Sequence, residues 1–284
     1  MSTLSARPEA LDADWLGASR RATDALRRIL EEAPTSRERV EETGTRGQGG
    51  DDTLVIDELA EDAIFSELDR LHAGGARFAA LSEERGKVDF GSDDVLVVID
   101  PIDGSMNAKR GLTHHAISIA VAAGDTMGDM EFGYVFDFGP DEEWVARRGA
   151  GVLLNGSPLP EAPPARYIDG RLELVAIESA DPQWIAKRME ELLEHVHRVR
   201  AMGTIAVALC QVALTRVDGM ATLWKTRSVD AAAAQLIVRE SGGVVAFPGC
   251  ESPLASPLDL EPNGPIVAAR NEQDLERLAQ VVAE

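Results

Sequence analysis

The sequence predicts an α+β first half joined to an α/β second half. Two helical stretches come first, five strand-like stretches follow, and beyond a proline-rich connector strands and helices alternate. Trp15, Ala18, Ala22, Ala25 and Ile29 fall at helical spacing over 14–33, and "EEAP" stops that run before Pro34. "TGTRGQGGDD" (43–52) is glycine-rich and polar, a mobile loop by composition. A second helix runs from about Asp57 to Leu71, with Leu59, Ala63, Ile64 and Leu68 on its apolar side and "HAGG" closing it.

Strands are expected at 77–84, 95–100, 115–123 and 131–138. Residues 143–156 read as a hairpin turning at Gly149 and Gly151. "SPLPEAPPAR" (157–166) divides the chain into a first domain (1–160) and a second (166–284). The second half reads as "LELVAIE", a helix from Pro182 to about Glu194, "VHRVRAM", "TIAVALCQVAL", "MATLW", "VDAAAAQLIVRE", "GGVVAF", "PIVAAR" and a last helix after Asn271.

Bulk properties narrow the function. A 44% apolar content with 27% charged residues is that of a globular chain, with no stretch of membrane-spanning length. A net charge of −21 opposes nucleic acid and anionic membranes as partners, since both require basic patches. The polar, acidic N-terminus does not read as a signal peptide. Cys210 and Cys250 read as free thiols of a reducing cytoplasm.

Chemistry concentrates at "VLVVIDPIDGSMN" (95–107), where an oily run meets two aspartates three apart. Asp100 precedes Pro101 and is held extended, Asp103-Gly104 turns the chain, and the two carboxylates can converge. Gly104 and Ser105 would offer N–H groups to an anion, which belongs beside carboxylates only if a cation lies between. On these residues alone a capped turn and a ligand site stand level. The Asp-x-x-Asp spacing is one residue too long for an aspartyl-nucleophile phosphatase, and neither cysteine heads a phosphate loop ending in arginine, so covalent catalysis is unsupported. Three further acidic sites at element ends shift the balance: Glu83-Glu84 after a strand, Asp57 at a helix start, and Asp230 in "RSVDAAAA".

The ordered set of Asp57, Glu83-Glu84, Asp-Pro-Ile-Asp-Gly-Ser and a late Asp-x-Ala-Ala resembles the inositol monophosphatase superfamily of Mg²⁺-dependent, lithium-sensitive phosphatases. The likeness covers nearly the whole chain, including "RAMGTIAVALC" (200–210). It implies a layered αβαβα sandwich and a homodimer. It also implies two Mg²⁺ ions, with a weaker third near Asp57 and the glycine-rich loop. Glu83, Asp100 and the Ile102 carbonyl would hold the first ion, and Asp100, Asp103 and Asp230 the second. Ser105 paired with Asp57, and Glu83 beside them, would activate the attacking water. The substrate would meet Asp103, Gly104, Ser105, Gly203, Thr204 and Asp230. Carboxylate oxygens suit Mg²⁺, and paired ions roughly 3.5–4 Å apart stabilise an in-line displacement with no phosphoenzyme.

Departures bear on the substrate. Animal-type members carry a glutamate several residues before the late aspartate; here the candidate positions Thr222 and Leu223 are not acidic. Lys225 and Arg227 stand near Asp230 instead, either as a seat for a second phosphate or as a solvated strand edge. The segment is similar to archaeal-type enzymes acting on inositol monophosphate and fructose 1,6-bisphosphate. The expected substrate is a small phosphorylated polyol or sugar: inositol monophosphate first, fructose 1,6-bisphosphate next, and 3′-phosphoadenosine 5′-phosphate or histidinol phosphate further off. A non-catalytic phosphosugar-binding relative is the rival reading. His114-His115 reads as core or capping. His195 and His197 read as a structural pair on one strand face, and Cys210 as buried.

Overall fold

The fold is taken from a computed structural model that describes residues 7–33, 39, 42–46 and 52–283. Asp14 caps α1 (Trp15–Glu32) by accepting the Gly17 N–H at 2.9 Å, and Trp15, Ala18, Ala22, Leu26 and Leu30 form its buried stripe. Part of the expected glycine-rich loop is a short ladder. β1 (Glu42–Arg46) pairs antiparallel with β2 (Asp52–Leu54), while 47–51 lie outside the described residues. Directly after β2, α2 (Val55–Ala73) begins, and it packs on α1.

Both helices cover one face of a seven-stranded sheet. Its members are β3 (Phe78–Ser82), β4 (Gly86–Asp103), β5 (Ala116–Ala122), β6 (Met130–Asp137), β7 (Glu142–Arg147), β8 (Gly151–Leu154) and β9 (Ser157–Pro158), paired in that order. The hairpin expected over 143–156 is β7–β8, with Gly149 and Gly151 both at positive φ. Leu26, Ile64 and Phe78 are water-free under these helices, each worth roughly 2 kcal/mol in transfer free energy. β4 is far longer than the 95–100 expected, because the polar stretch 86–91 also lies along β3. Leu96–Ile99 run beside Ala79–Ser82, and Gly86 also opposes Ser82.

After the short β10 (Tyr167–Ile168) and β11 (Arg171–Leu172) comes a second sheet. It is built from β12 (Val175–Glu178), β13 (Val199–Arg200), β14 (Gly219–Thr222), β15 (Val244–Ala246) and β16 (Val267–Ala269) in the order β13-β12-β14-β16-β15. The helix expected from Pro182 to Glu194 is two helices, α3 being Ser105–Arg110 and these α4 (Pro182–Lys187) and α5 (Met189–His195), interrupted at Arg188. His195 therefore ends a helix and does not share a strand face with His197, because the expected strand shrinks to Val199–Arg200.

Two helices, α6 (Ile205–Ala213) and α7 (Ser228–Glu240), lie between the sheets. Their Ala206, Leu209, Ala232 and Leu236 share one core with Val98, Ala120 and Val135 of the first sheet and with Met220 and Ala268 of the second. α5 and α8 (Glu272–Val282) cover the far face, where Leu192, Leu275 and Leu278 meet Val175, Ile177 and Val267. Helices, sheet, helices, sheet, helices: this is the αβαβα order, and the small side chains of α7 fit the narrow space between two sheets.

Candidate active site

Strand register assembles the site. Ser82 stands opposite Ile99, so the residues that leave the two strands, Glu83 and Asp100, emerge side by side. Asp100 is 3% exposed and accepts the Ile102 N–H at 3.0 Å, an Asx turn that carries the chain past Pro101 to Asp103. Gly104 then takes φ +82°, and an added Cβ would lie 3.1–3.2 Å from Gly203 O, His114 O and Thr204 Cβ. Gly203 is equally constrained at φ +78°, facing Asn107. The Asn107 Nδ2 fastens the two turns by donating to His114 O and Met202 O, each at 2.7 Å. Only glycine suits these positions.

Asp103 receives two donors from the start of α6: the Thr204 hydroxyl, and the Ala206 N–H at 2.7 Å to the same Oδ2. Thr204 also caps α6 by accepting the Val207 N–H at 3.2 Å. The 202–204 turn is held from below by Glu178, which accepts the Met202 and Gly203 N–H groups at 2.8 and 2.9 Å. Asp230, in the first turn of α7, accepts the Arg227 N–H at 3.0 Å and so does serve as a cap. The Arg227 guanidinium bridges two carboxylates, donating to Glu83 Oε1 at 2.7 Å and Asp230 Oδ1 at 3.1 Å.

Electrostatics sets this cluster apart. Burial first, and then the neighbouring Glu83, Asp103 and Asp230, push Asp100 well above the usual carboxylate range. Burial pushes Glu83 up to about 7 against the pull of Arg227, with Asp230 adding to the rise. Asp103 also rises to about 7 through burial, opposed by the Thr204 hydroxyl bond. Burial would lower Arg227, yet Asp230, Glu83 and Asp100 leave it above its ordinary value.

The donor set is one of hard carboxylate oxygens, buried and short of positive charge, and in kind it fits Mg²⁺. As placed, these side chains are drawn to Arg227 and to the start of α6. No three His, Cys, Asp or Glu side chains among the described residues stand ready around one ion.

Of the residues expected at the site, Glu83, Asp100, Asp103, Asp230, Thr204 and Arg227 are joined by bonds or mutual repulsion. Gly104, Ser105 and Gly203 flank them, and Ile102 is buried in the turn. Asp57 is buried in the first turn of α2, as its third residue rather than at the loop-to-helix junction. Lys225 is exposed, and the Thr222 hydroxyl is taken by Trp224 O and the Ile266 N–H. Asn107 and Glu178 were missed by sequence reasoning, since each acts on backbone groups that only the fold brings near. His114 is bonded through Nδ1 to Asp137 at 2.9 Å, and His115 stacks on Phe138.

Comparison with known proteins agrees with this geometry. The profile of the inositol monophosphatase family matches residues 14–284. A fructose-1,6-bisphosphatase/inositol-1-monophosphatase of Thermococcus kodakarensis is 34% identical over 203 residues, covering 69% of this chain and 70% of that one. The Nus factor SuhB of Escherichia coli is 32% identical over 202 residues, 70% and 73% of the two chains. Among solved structures, an inositol monophosphatase–fructose 1,6-bisphosphatase superposes with a TM-score of 0.78 at 24% identity, over 94% of this chain and 99% of that one, a likeness of fold. The chain thus belongs to the inositol monophosphatase family.

Proposed function

We propose that this protein is a Mg²⁺-dependent phosphatase that hydrolyses small phosphorylated polyols or sugars by direct attack of water, with inositol monophosphate as first substrate and fructose 1,6-bisphosphate as second. The observation that carries this reading is the convergence of Glu83, Asp100, Asp103 and Asp230 from the ends of β3 and β4 and the start of α7, with one guanidinium among them in the described residues. Glu83, Asp100, the Ile102 carbonyl, Asp103 and Asp230 would hold the cation. When bound it supplies the positive charge that lets so acidic a site accept a phosphate and stabilises the departing oxygen.

The chain's own groups do the rest. Gly104 and Ser105 donate to the phosphate, and the Thr204 hydroxyl and Ala206 N–H fix the Asp103 carboxylate through Oδ2 and leave Oδ1 outside both bonds. Ser105 and Asp57 orient the attacking water. Thr222 and Leu223 bring no acid to the leaving group, which supports a broad specificity; Lys225, exposed beside Arg227, receives a second phosphate. A homodimer working in the cytoplasm completes the reading.

Similarity to the Nus factor SuhB favours a second reading, a binding scaffold without turnover. Phosphate release from inositol 1-phosphate, fructose 1,6-bisphosphate and 3′-phosphoadenosine 5′-phosphate with Mg²⁺ separates the two. Turnover that falls by about 10³-fold in Asp100→Asn is expected. No release from any of the three supports the scaffold, and full activity in Asp100→Asn would refute the site.

A further inference from the structure

A cavity of about 570 Å³ lies between α4, the segment after β14, the segment entering β16 and the end of α8. Its size is that of a small-molecule site. Among the described residues its charged lining consists of two cations, Arg188 and Lys225, with no aspartate or glutamate. In a chain with 49 acidic and 28 basic residues that composition is inverted. Neither side chain forms an ion pair among the described residues.

The apolar part is equally distinct. Trp15 and Trp144 are buried in the core, whereas Trp184 and Trp224 line this cavity, stacked at 4.4 Å between ring centroids and 25° between planes. Trp224 remains 47% exposed, and Lys187 Nζ stands 4.0 Å from the Trp184 ring centroid. A large indole left in water forgoes its burial free energy, and a planar ligand stacked on it recovers that loss. Two cations that pair with no described carboxylate, on a concave and partly apolar wall, raise the local potential where the rest of the surface repels anions.

We propose that this cavity binds a planar organic anion, a ring carrying a phosphate, with the ring against Trp224 and the anion between Arg188 and Lys225. A nucleoside monophosphate has this chemistry. Lys225 lies two residues from Arg227, which reaches Glu83 and Asp230, so one short segment borders both the cavity and the carboxylate cluster. The occupant is therefore either a ligand that overlaps the substrate's path or a separate one at its edge. The binding itself does not rest on the phosphatase reading.

The test is isothermal titration of adenosine 5′-monophosphate into the full chain in EDTA. Saturable 1:1 binding is expected, weakened about tenfold by Trp224→Ala, the scale of one lost ring stack, and similarly by Arg188→Ala. Adenosine, lacking the anion, and ribose 5-phosphate, lacking the ring, are each expected to bind about tenfold more weakly. No binding overturns the proposal, as does ribose 5-phosphate binding as tightly as the nucleotide. Affinity that ignores both substitutions yet rises in Asp100→Asn would put the nucleotide at the carboxylates and also overturn it. With Mg²⁺ present, competitive inhibition of inositol 1-phosphate hydrolysis identifies an occupant on the substrate path, and non-competitive inhibition a separate ligand. If no hydrolysis occurs at all, the phosphatase reading fails while the EDTA titration still decides this one.

Discussion

Glu67 and Asp100 are almost equally buried, 7% and 3% exposed, yet their surroundings are opposite. Glu67, on α2 where it faces α1, meets two guanidiniums, Arg21 and Arg70, each at 2.7 Å. Asp100 meets a backbone N–H of its own turn and three other carboxylates, with Arg227 shared between two of those. Where an acid only joins two helices, the fold supplies two cations to one carboxylate. At the carboxylate cluster the described residues supply one cation to four. Such a deficit is costly in the folded chain, and it is the arrangement expected where an external cation is to be bound.

A third buried carboxylate sharpens this contrast and carries the largest expected effect. Glu178 forms no ion pair among the described residues; the Met202 and Gly203 N–H groups bond it, and burial lifts it to about 7 from an ordinary 4.5 despite those bonds, with His114 a further lowering influence. Its folded pKa is raised, so the folded state holds the extra proton between pH 4.5 and 7. Stability is then lost as pH rises through that window and is level above it, by about 3 kcal/mol for this one group. Urea unfolding in EDTA from pH 4.5 to 8 should show that slope reduced by one proton in Glu178→Gln, the remainder belonging to the other carboxylates that burial raises, Glu83, Asp100 and Asp103 with Glu61, Asp137 and Asp218. An unchanged slope would mean that the two N–H bonds already neutralise Glu178.

Part of this contrast is legible in the sequence. Local signals suffice for α1, whose stripe and Asp14 cap are short-range, for the β7–β8 hairpin, and for the turn of Asp100, Asp103 and Gly104. Glu83 and Asp230 are legible as acids at element ends, and only a family pattern links them to that turn. What is not legible is long-range. Thr204 reaches Asp103 from 101 residues away, and Glu178 holds a turn 24 and 25 residues ahead. The break at Arg188 has no glycine or proline to announce it, and the polar 86–91 stretch becomes strand through its pairing with β3 rather than through its own composition.

The next expected effect concerns Arg227. In Arg227→Ala, Glu83 and Asp230 lose the one guanidinium between them, and the EDTA-treated protein should unfold with about 2 kcal/mol less stability, less than a fully buried pair because all three side chains keep some contact with water. Thermal unfolding measures it, and added Mg²⁺ should restore most of the loss. A melting temperature identical to the parent's would show that the cluster is tolerated without an internal counter-ion, and the comparison with Glu67 would lose its meaning.

The smallest effect lies on the well-paired side. In Glu67→Ala both partners survive the loss easily, since Arg21 and Arg70 are 45% and 64% exposed and water solvates them at once. Abundant pairing therefore predicts a cost of only about 1 kcal/mol, although the carboxylate itself is buried. A double-mutant cycle with Arg21→Ala measures the coupling directly, and a value below about 1 kcal/mol is expected. A coupling several times larger would mean that the α1–α2 contact depends on this carboxylate as strongly as the strand ends depend on Arg227. Cation supply would then not be what distinguishes an architectural acid from one held ready for a ligand.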